Sequence, residues 1–194
     1  MPKRLILASA SPRRVELLKQ LGVEFDVMPS QVAEVDHAFL TPREICLLNA
    51  WQKCRSVARR RPDAVVLGAD TEVCLGARIF GKPASRGEAE AFLMELQGRV
   101  HEVVTGVCLM HWGRRRQWLG AEVTRVHFKP LSATEIADYL GLIQPLDKAG
   151  AYAIQEHGER IIERIEGSYS NVVGLPLEML REALNEFADL LKER

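Results

Sequence analysis

The sequence lacks the signatures of several large functional classes. It has no Walker A loop, no Gly-x-Gly-x-x-Gly dinucleotide fingerprint and no Gly-x-Ser-x-Gly elbow of a hydrolase triad. Its five histidines have no zinc-binding spacing, and its four cysteines form no Cys-x-x-Cys pair. A P-loop ATPase, a nicotinamide dehydrogenase, a serine hydrolase and a zinc enzyme are therefore not indicated.

Long apolar runs and an excess of charge are also lacking. No run approaches the length of a membrane span or of a signal peptide, so we expect no membrane partner and a cytoplasmic location with buried, reduced thiols. Lysine plus arginine and aspartate plus glutamate both number 26, which gives no sign of a bulk nucleic-acid binder, and no nucleic-acid partner is expected. The arginine runs 59–61 and 114–116 are expected at a helix end and at a hairpin turn.

What is present fits an α/β protein with a mixed sheet. The 194 residues, 47% of them hydrophobic, can bury a sizeable core in one domain or two small lobes. Helical periodicity from Thr41 alternates with apolar strands, one at residues 64–67 that ends in the turn-like 68–71. Residues 100–112 and 117–128 predict long antiparallel strands, and 176–192 a closing amphipathic helix.

The start of the first helix is unusual. An apolar run at residues 5–7 predicts a strand, and Ser11 and Pro12 predict the N-cap and the first residue of a helix. Three other helix starts, at 41–44, 85–88 and 132–135, have capping boxes that end in glutamate, whereas this one has Arg13 and Arg14. Two cations at the positive end of a helix dipole favour binding of a phosphate chain, although exposed surface arginines are the simpler alternative.

Several side chains are candidates for chemistry. Asp70 follows an apolar strand, where a carboxylate could hold a divalent cation or take a proton from water; capping of a turn is the alternative. Glu34 and Asp36 lie in a polar loop, where acids are usually solvated. Lys53 and Lys82 could each place a point charge against phosphate.

Two further stretches contain many small residues. Residues 145–155 and 167–177 do not have the pattern of a hydrophobic core. Small residues let the backbone approach a ligand closely, so both stretches are predicted to lie near a ligand.

Six motifs in one order resemble a known family. Together they are similar to the Maf family of nucleoside triphosphate pyrophosphatases, also called septum-formation-inhibitor-like proteins. The motifs are Leu-Ala-Ser-Ala-Ser-Pro-Arg-Arg (7–14), Gly-Ala-Asp-Thr (68–71), Gly-Lys-Pro (81–83), Thr-Gly-Val (105–107), Asp-Lys-Ala-Gly-Ala-Tyr-Ala-Ile-Gln (147–155) and Asn-Val-Val-Gly-Leu-Pro-Leu (171–177).

The resemblance implies a fold and an activity. The fold would be a single domain over residues 1–194, elongated and two-lobed with a central cleft, similar to the inosine-triphosphate pyrophosphatases. The activity would be hydrolysis of a nucleoside triphosphate to the monophosphate and pyrophosphate, with Mg²⁺ or Mn²⁺ as cofactor. By analogy with pyrophosphatases of similar architecture, a homodimer is expected.

The resemblance also implies roles for individual residues. Asp70 would be the proton acceptor, with Glu34 and Lys82 also catalytic, and Asp70 and Glu34 would hold the metal. The substrate would be bound by a set of polar side chains: Ser9, Arg13, Lys53, Thr71 and Gln155. Members that take dTTP and UTP are similar at Arg13, Thr71 and Gln155, and the 7-methyl-GTP branch differs there.

The chain departs from the family pattern at five places, one of which is Cys54 in place of an alanine. Ala33 replaces one member of an acidic pair, for which Asp36 could compensate. Gln52, Glu72 and Glu156 stand where the family usually has glutamate, an apolar residue and a small residue. The alternatives to a dTTP/UTP enzyme are a 7-methyl-GTP-type or broad nucleotide pyrophosphatase, or a non-catalytic nucleotide-binding regulator of cell division.

Overall fold

The computed structural model describes residues 5–35 and 39–192 of the chain. Seven strands lie within these ranges: β1 (Leu5–Leu7), β2 (Phe25–Val27), β3 (Val65–Leu75), β4 (Arg78–Phe80), β5 (Val100–His111), β6 (Arg116–Phe128) and β7 (Ile162–Glu166). Seven α-helices lie there too: α1 (Pro12–Lys19), α2 (Pro42–Ala58), α3 (Arg86–Leu96), α4 (Ala133–Leu140), α5 (Tyr169–Val173), α6 (Leu177–Asn185) and α7 (Ala188–Lys192).

The strands form one mixed sheet. Its order is β2-β1-β3-β5-β6-β7, and β4 pairs with β3 off this path. The strand β1 is parallel to both β2 and β3, with Leu5 opposite Phe25 and Val65. The pairs β3–β4 and β6–β7 are antiparallel. The expected α/β class with a mixed sheet is therefore confirmed.

The chain divides into two compact units, each with its own hydrophobic core. The first unit comprises residues 1–70, 105–122 and 174–194, and the second comprises 71–104 and 123–173. In the first unit, α2 packs on the sheet around Ile6, Val66 and Cys108. In the second, α3 and α4 cover a larger cluster that includes Phe80 and Tyr139.

Helix capping largely follows the sequence. The capping boxes predicted at Thr41 and Ser132 are both present. At α3, Ser85 accepts the predicted bond from Glu88, but the Glu88 carboxylate bonds the backbone N–H of Ala84 rather than that of Ser85. The reciprocal half of that box is therefore shifted by one residue.

Two sequence-based boundaries were wrong. The strand predicted to end at residue 67 continues to Leu75 as β3, so residues 68–71 are not a turn. The closing helix is interrupted at residues 186–187, which separates α6 from α7, and Phe187 in this interruption is buried. The stretch 167–177, for which no element was predicted, contains α5, whose Ser170 and Asn171 are buried.

The prediction that residues 145–155 avoid the core was also wrong. Gly150, Ala151, Tyr152 and Ala153 are buried, and Tyr152 belongs to the core of the second unit. Its hydroxyl lies 2.8 Å from Nε2 of His101. Burial, with a smaller contribution from His127, lowers the pKa of His101 to about 3 and keeps the ring neutral. Small residues here allow close packing of the protein on itself.

The helix α2 packs so closely on the sheet that its backbone lies against the backbone of two strands. A Cβ at Gly68 would meet the carbonyl oxygen of Ala50 and lie 2.7 Å from Cβ of Cys54. A Cβ at Gly106 would meet the carbonyl group of Cys46. Cys46, Ala50 and Cys54 are spaced four apart and therefore lie on one face of the helix. Glycine in the strands and small residues on the helix together set this separation.

None of the helices within residues 5–35 and 39–192 is both long and apolar enough to cross a bilayer. The four cysteines are buried thiols, as the sequence predicted. Burial raises the pKa of Cys74 to about 11 and that of Cys54 well above its usual range, so neither is a reactive thiolate at neutral pH.

Replacing Gly68 by alanine is expected to lower the free energy of unfolding by about 1–3 kcal/mol, because the added methyl group meets backbone atoms of α2 that cannot rotate away. Gly87→Ala is the matched control, since the nearest atom to a Cβ there is Ser85 Oγ at 4.0 Å. Urea unfolding followed by circular dichroism measures both. A Gly68→Ala variant as stable as the wild type would contradict the close contact.

Candidate active site

Asp70 is a buried acid within a strand. It lies in β3 with 4% of its surface exposed. The sequence predicted that Asp70 lies at the carboxyl end of a strand or caps a turn. Both predictions are wrong, because β3 continues past Asp70 to Leu75. The part of β3 that pairs with parallel β1 does end at Leu67, however, and Asp70 follows shortly after. It thus lies just beyond the parallel ladder, where ligands bind in open α/β sheets.

Two side chains from α2 hold the Asp70 carboxylate. Lys53 Nζ lies 2.6 Å from Oδ1, and Asn49 Nδ2 donates to Oδ2 at 3.0 Å. Positions 49 and 53 are one helical turn apart, so both side chains leave the same face of α2. A buried carboxylate is costly unless it is paired and hydrogen-bonded, and here each oxygen has its own donor.

Lys53 also binds the second predicted acid. Its Nζ lies 2.6 Å from Oε1 of Glu34, as close as it lies to Asp70. The Lys53 side chain is 12% exposed, against 54% for Glu34. The structure therefore brings together Glu34, Lys53 and Asp70, with the ammonium between one exposed and one buried carboxylate.

Asn49 is a site residue that the sequence analysis missed. Its Oδ1 accepts the backbone N–H of Val35 at 2.8 Å, and its Nδ2 donates to the Val35 carbonyl at 3.1 Å. One side chain thus fixes the loop that carries Glu34 and also orients Asp70. The available signal was a polar residue, 1% exposed, in the small-residue face of α2 and four positions before Lys53.

The start of α1 is basic, as predicted. Ser11 is the N-cap but makes no side-chain capping bond, and its N–H donates to Ser9 Oγ at 3.2 Å. Arg14 Nη1 donates to the same hydroxyl at 3.3 Å, and its Nε donates to the carbonyl of Gly174 at 2.9 Å. Arg13 is half-buried in the first turn. Arg14, which the resemblance did not single out, is thus the arginine that is bonded to Ser9.

Arg14 is electrostatically linked to the two acids. Burial lowers the pKa of Arg14, and the carboxylates of Asp70 and Glu34 oppose that shift. Both carboxylates therefore stabilise the charged form of the Arg14 guanidinium. The first unit thus contains cations and carboxylates that interact with one another.

The remaining predicted residues belong to the second unit. Thr71 is half-buried in β3, and Lys82 is exposed in the turn after β4. Gln155 is exposed in the turn at residues 154–157. Asp36 lies outside the described residues.

Residues 148–150 contact both the turn that carries Lys82 and the turn that carries Gln155. The N–H of Gly150 donates to the carbonyl of Gly81 at 3.1 Å, which fixes the turn that carries Lys82. Lys148 is 4% exposed, and its Nζ lies 3.4 Å from Oε1 of Glu156, next to Gln155. The unusual residue Glu156 therefore has a structural partner.

The acids can supply part of a metal site. Within the described residues, no three His, Cys, Asp or Glu side chains are grouped so that they could hold an ion. Asp70 and Glu34 nevertheless converge on one cation, the Lys53 ammonium. Mg²⁺ is commonly held by one or two carboxylates together with substrate phosphates, so this donor set fits such an ion only with ligands from water or substrate.

Comparisons with known proteins agree with the motifs. The profile of the family described as Maf-like protein matches residues 4–187. The chain is 46% identical over 185 residues to the dTTP/UTP pyrophosphatase of Pelotomaculum thermopropionicum, covering 95% of this chain and 97% of that protein. It is 47% identical over 188 residues to the dTTP/UTP pyrophosphatase of Gloeobacter violaceus, covering 96% and 97%.

A solved structure supports the fold alone. The HAM1 protein from Coxiella burnetii superposes with a TM-score of 0.55 at 17% identity, covering 96% of this chain and all of that chain. The extent of the profile match and the identity to the relatives go further: the chain belongs to the Maf-like protein family.

Proposed function

We propose that this protein hydrolyses nucleoside triphosphates, dTTP and UTP above all, to the monophosphate and pyrophosphate. The observation on which the proposal mainly rests is the buried carboxylate of Asp70, held by Lys53 and Asn49 beside Glu34. The names of relatives at 46–47% identity support the choice of substrate.

A triphosphate is strongly anionic, so the site must first balance its charge. Lys53, Arg13 and Lys82 would contact phosphate oxygens, and the positive end of the α1 dipole would add to their attraction. Arg14, through its bond to Ser9, would hold that hydroxyl towards the same phosphate chain.

Asp70 would then act as the proton acceptor. In the structure its Oδ1 is neutralised by Lys53. A phosphate that attracts the Lys53 ammonium would weaken this pair and leave Oδ1 able to accept a proton from water. Asn49 would keep Oδ2 bonded and the carboxylate oriented while the water attacks the α-phosphorus.

A divalent cation, Mg²⁺ or Mn²⁺, fits this scheme. Asp70 and Glu34 would hold it once Lys53 moves towards phosphate. When bound, it supplies charge neutralisation of the phosphates and makes water more acidic. Asn49 would position the Glu34 loop for that role through its two bonds to Val35.

We assign recognition of the nucleotide base to residues of the second unit. Gln155 presents one donor and one acceptor, which matches the acceptor–N–H–acceptor edge of uracil and thymine. The pairing of Glu156 with Lys148 would hold the turn that presents Gln155, and Thr71 would help to position the substrate.

Two further proposals concern the whole chain. We propose that both units act as one pyrophosphatase domain, because the family profile covers residues 4–187 continuously. We also propose a cytoplasmic location, which the buried thiols and the nucleotide substrate favour.

Asp70→Asn is expected to lower kcat for UTP by roughly 10²–10⁴, because the variant cannot accept a proton. Asp63→Asn is the matched control, since the Asp63 side chain is 65% exposed and lies outside the cluster. Pyrophosphate release with Mg²⁺ present measures turnover, and circular dichroism checks the fold. Near-normal turnover in folded Asp70→Asn would remove Asp70 from the mechanism.

The wild type is expected to show a higher kcat/KM for UTP and dTTP than for CTP and 7-methyl-GTP. Gln155→Glu should lower kcat/KM for UTP roughly 10–100-fold, the equivalent of about 1–3 kcal/mol for a polar group of the bound base left unpaired. Gln20→Glu, an exposed change of the same kind at the end of α1, should leave it unchanged.

A pyrophosphate assay over the four nucleotides gives all of these values. A preference for 7-methyl-GTP would overturn the base assignment but leave the activity standing. Release from none of the nucleotides, with and without Mg²⁺ or Mn²⁺, would overturn the proposed activity and favour a non-catalytic nucleotide-binding protein.

A further inference from the structure

The two arginine runs meet on the surface of the first unit. Residues 59–61 follow α2, residues 114–115 lie in the turn between β5 and β6, and Arg116 begins β6. The N–H of Gly113 donates to the carbonyl of Pro62 at 2.9 Å, which joins the two segments. A Cβ at Gly113 would lie 2.7 Å from that oxygen, so glycine permits the approach.

Tryptophan and arginine side chains alternate on the surface where these two segments meet. The Arg55 guanidinium lies 5.2 Å from the Trp51 ring and 5.8 Å from the Trp112 ring. Arg59 lies 5.8 Å from the Trp112 ring as well. Trp51 is fixed by its Nε1 bond to Gln117 at 2.9 Å, while Trp112 is 39% exposed. Trp112 thus presents a partly exposed indole at the surface, with two guanidinium groups beside its ring.

The junction concentrates positive charge in a neutral protein. We call it the arginine surface; its cationic members are Arg55, Arg59, Arg60, Arg61, Arg114, Arg115 and Arg116. Asp63 lies 3.6 Å from Arg61, and Asp189 lies 2.9 Å from Arg116. Because the whole chain has 26 cationic and 26 acidic residues, this local excess is balanced by acids elsewhere.

The turn itself is unusual. Arg115 has a φ of 52°, in the left-handed region where glycine and asparagine are favoured. Arginines at the end of α2 would be explained by the helix dipole alone. The dipole does not explain an arginine at a left-handed turn position, nor an exposed indole with two guanidinium groups beside it.

We propose that the arginine surface binds single-stranded nucleic acid, although the balanced charge of the whole chain gave no sign of a nucleic-acid partner. Guanidinium groups would contact consecutive phosphates, and an unpaired base would stack on Trp112, the combination that sequence-tolerant single-strand binders use. The stacking platform favours a nucleic acid over an acidic protein, and a base must be unpaired to stack. The surface includes none of the residues assigned to hydrolysis, so the proposal stands or falls independently of the proposed activity.

Fluorescence anisotropy of the full-length protein with a labelled oligothymidylate of about 16 nucleotides tests this proposal. Binding should weaken steeply with salt, and Arg60→Gln/Arg115→Gln should lower the slope of log Kd against log salt by about 1–2. Trp112→Leu should weaken binding about tenfold while leaving that slope unchanged. Both variants should release pyrophosphate from UTP at the wild-type rate.

The matched control removes the same charge from the other unit. Arg99→Gln/Arg160→Gln changes two exposed arginines of the second unit and should bind as the wild type does. Absence of binding at low salt would overturn the proposal. So would equal losses in the two double variants, binding insensitive to Trp112→Leu, or equally tight binding of the corresponding duplex.

Discussion

The buried charge of Asp70 is the constraint on which the described site depends. A carboxylate that is 4% exposed has lost most of its hydration, and the protein must replace it. Lys53 and Asn49 do so, and they reach Asp70 only because α2 lies against β3 at backbone distance. That distance in turn requires the absence of a side chain at Gly68. Local sequence, helix packing and site chemistry are thus linked through one contact.

The same constraint explains why Glu34 belongs to the cluster. Asn49 bonds both backbone groups of Val35, so the residue that orients Asp70 also anchors the loop with the second acid. Lys53 then lies between an exposed and a buried carboxylate. A cation that can be shared or exchanged between two acids is suited to a site that receives a strongly anionic substrate.

The sequence predicted the parts of this arrangement that depend on local rules. Pro12 and Ser11 marked the start of α1, and the capping boxes at Thr41 and Ser132 were correct, because these signals involve residues within one turn. The resemblance to the family singled out Glu34, Lys53 and Asp70, which the structure brings together.

What the sequence could not predict depends on distant partners. Gly68 looked like the end of a strand, because glycine is common in turns, yet here it admits a helix from another part of the chain. Asn49 had no recognisable motif, since its partners lie 14 and 21 positions away. Tyr152 was assigned to a ligand-facing segment, although its hydroxyl pairs with His101, 51 positions away, within the core.

Buried ion pairs contribute little to stability, and apolar replacements of similar size are often neutral or stabilising. We therefore infer that the Lys53–Asp70 pair is retained for catalysis and not for stability. The most direct test is the double variant Lys53→Met/Asp70→Leu, measured for thermal unfolding and for pyrophosphate release from UTP with Mg²⁺. The account predicts a folded protein of unchanged or higher stability with no release above background. Release within about tenfold of the wild type, or loss of the fold, would contradict it.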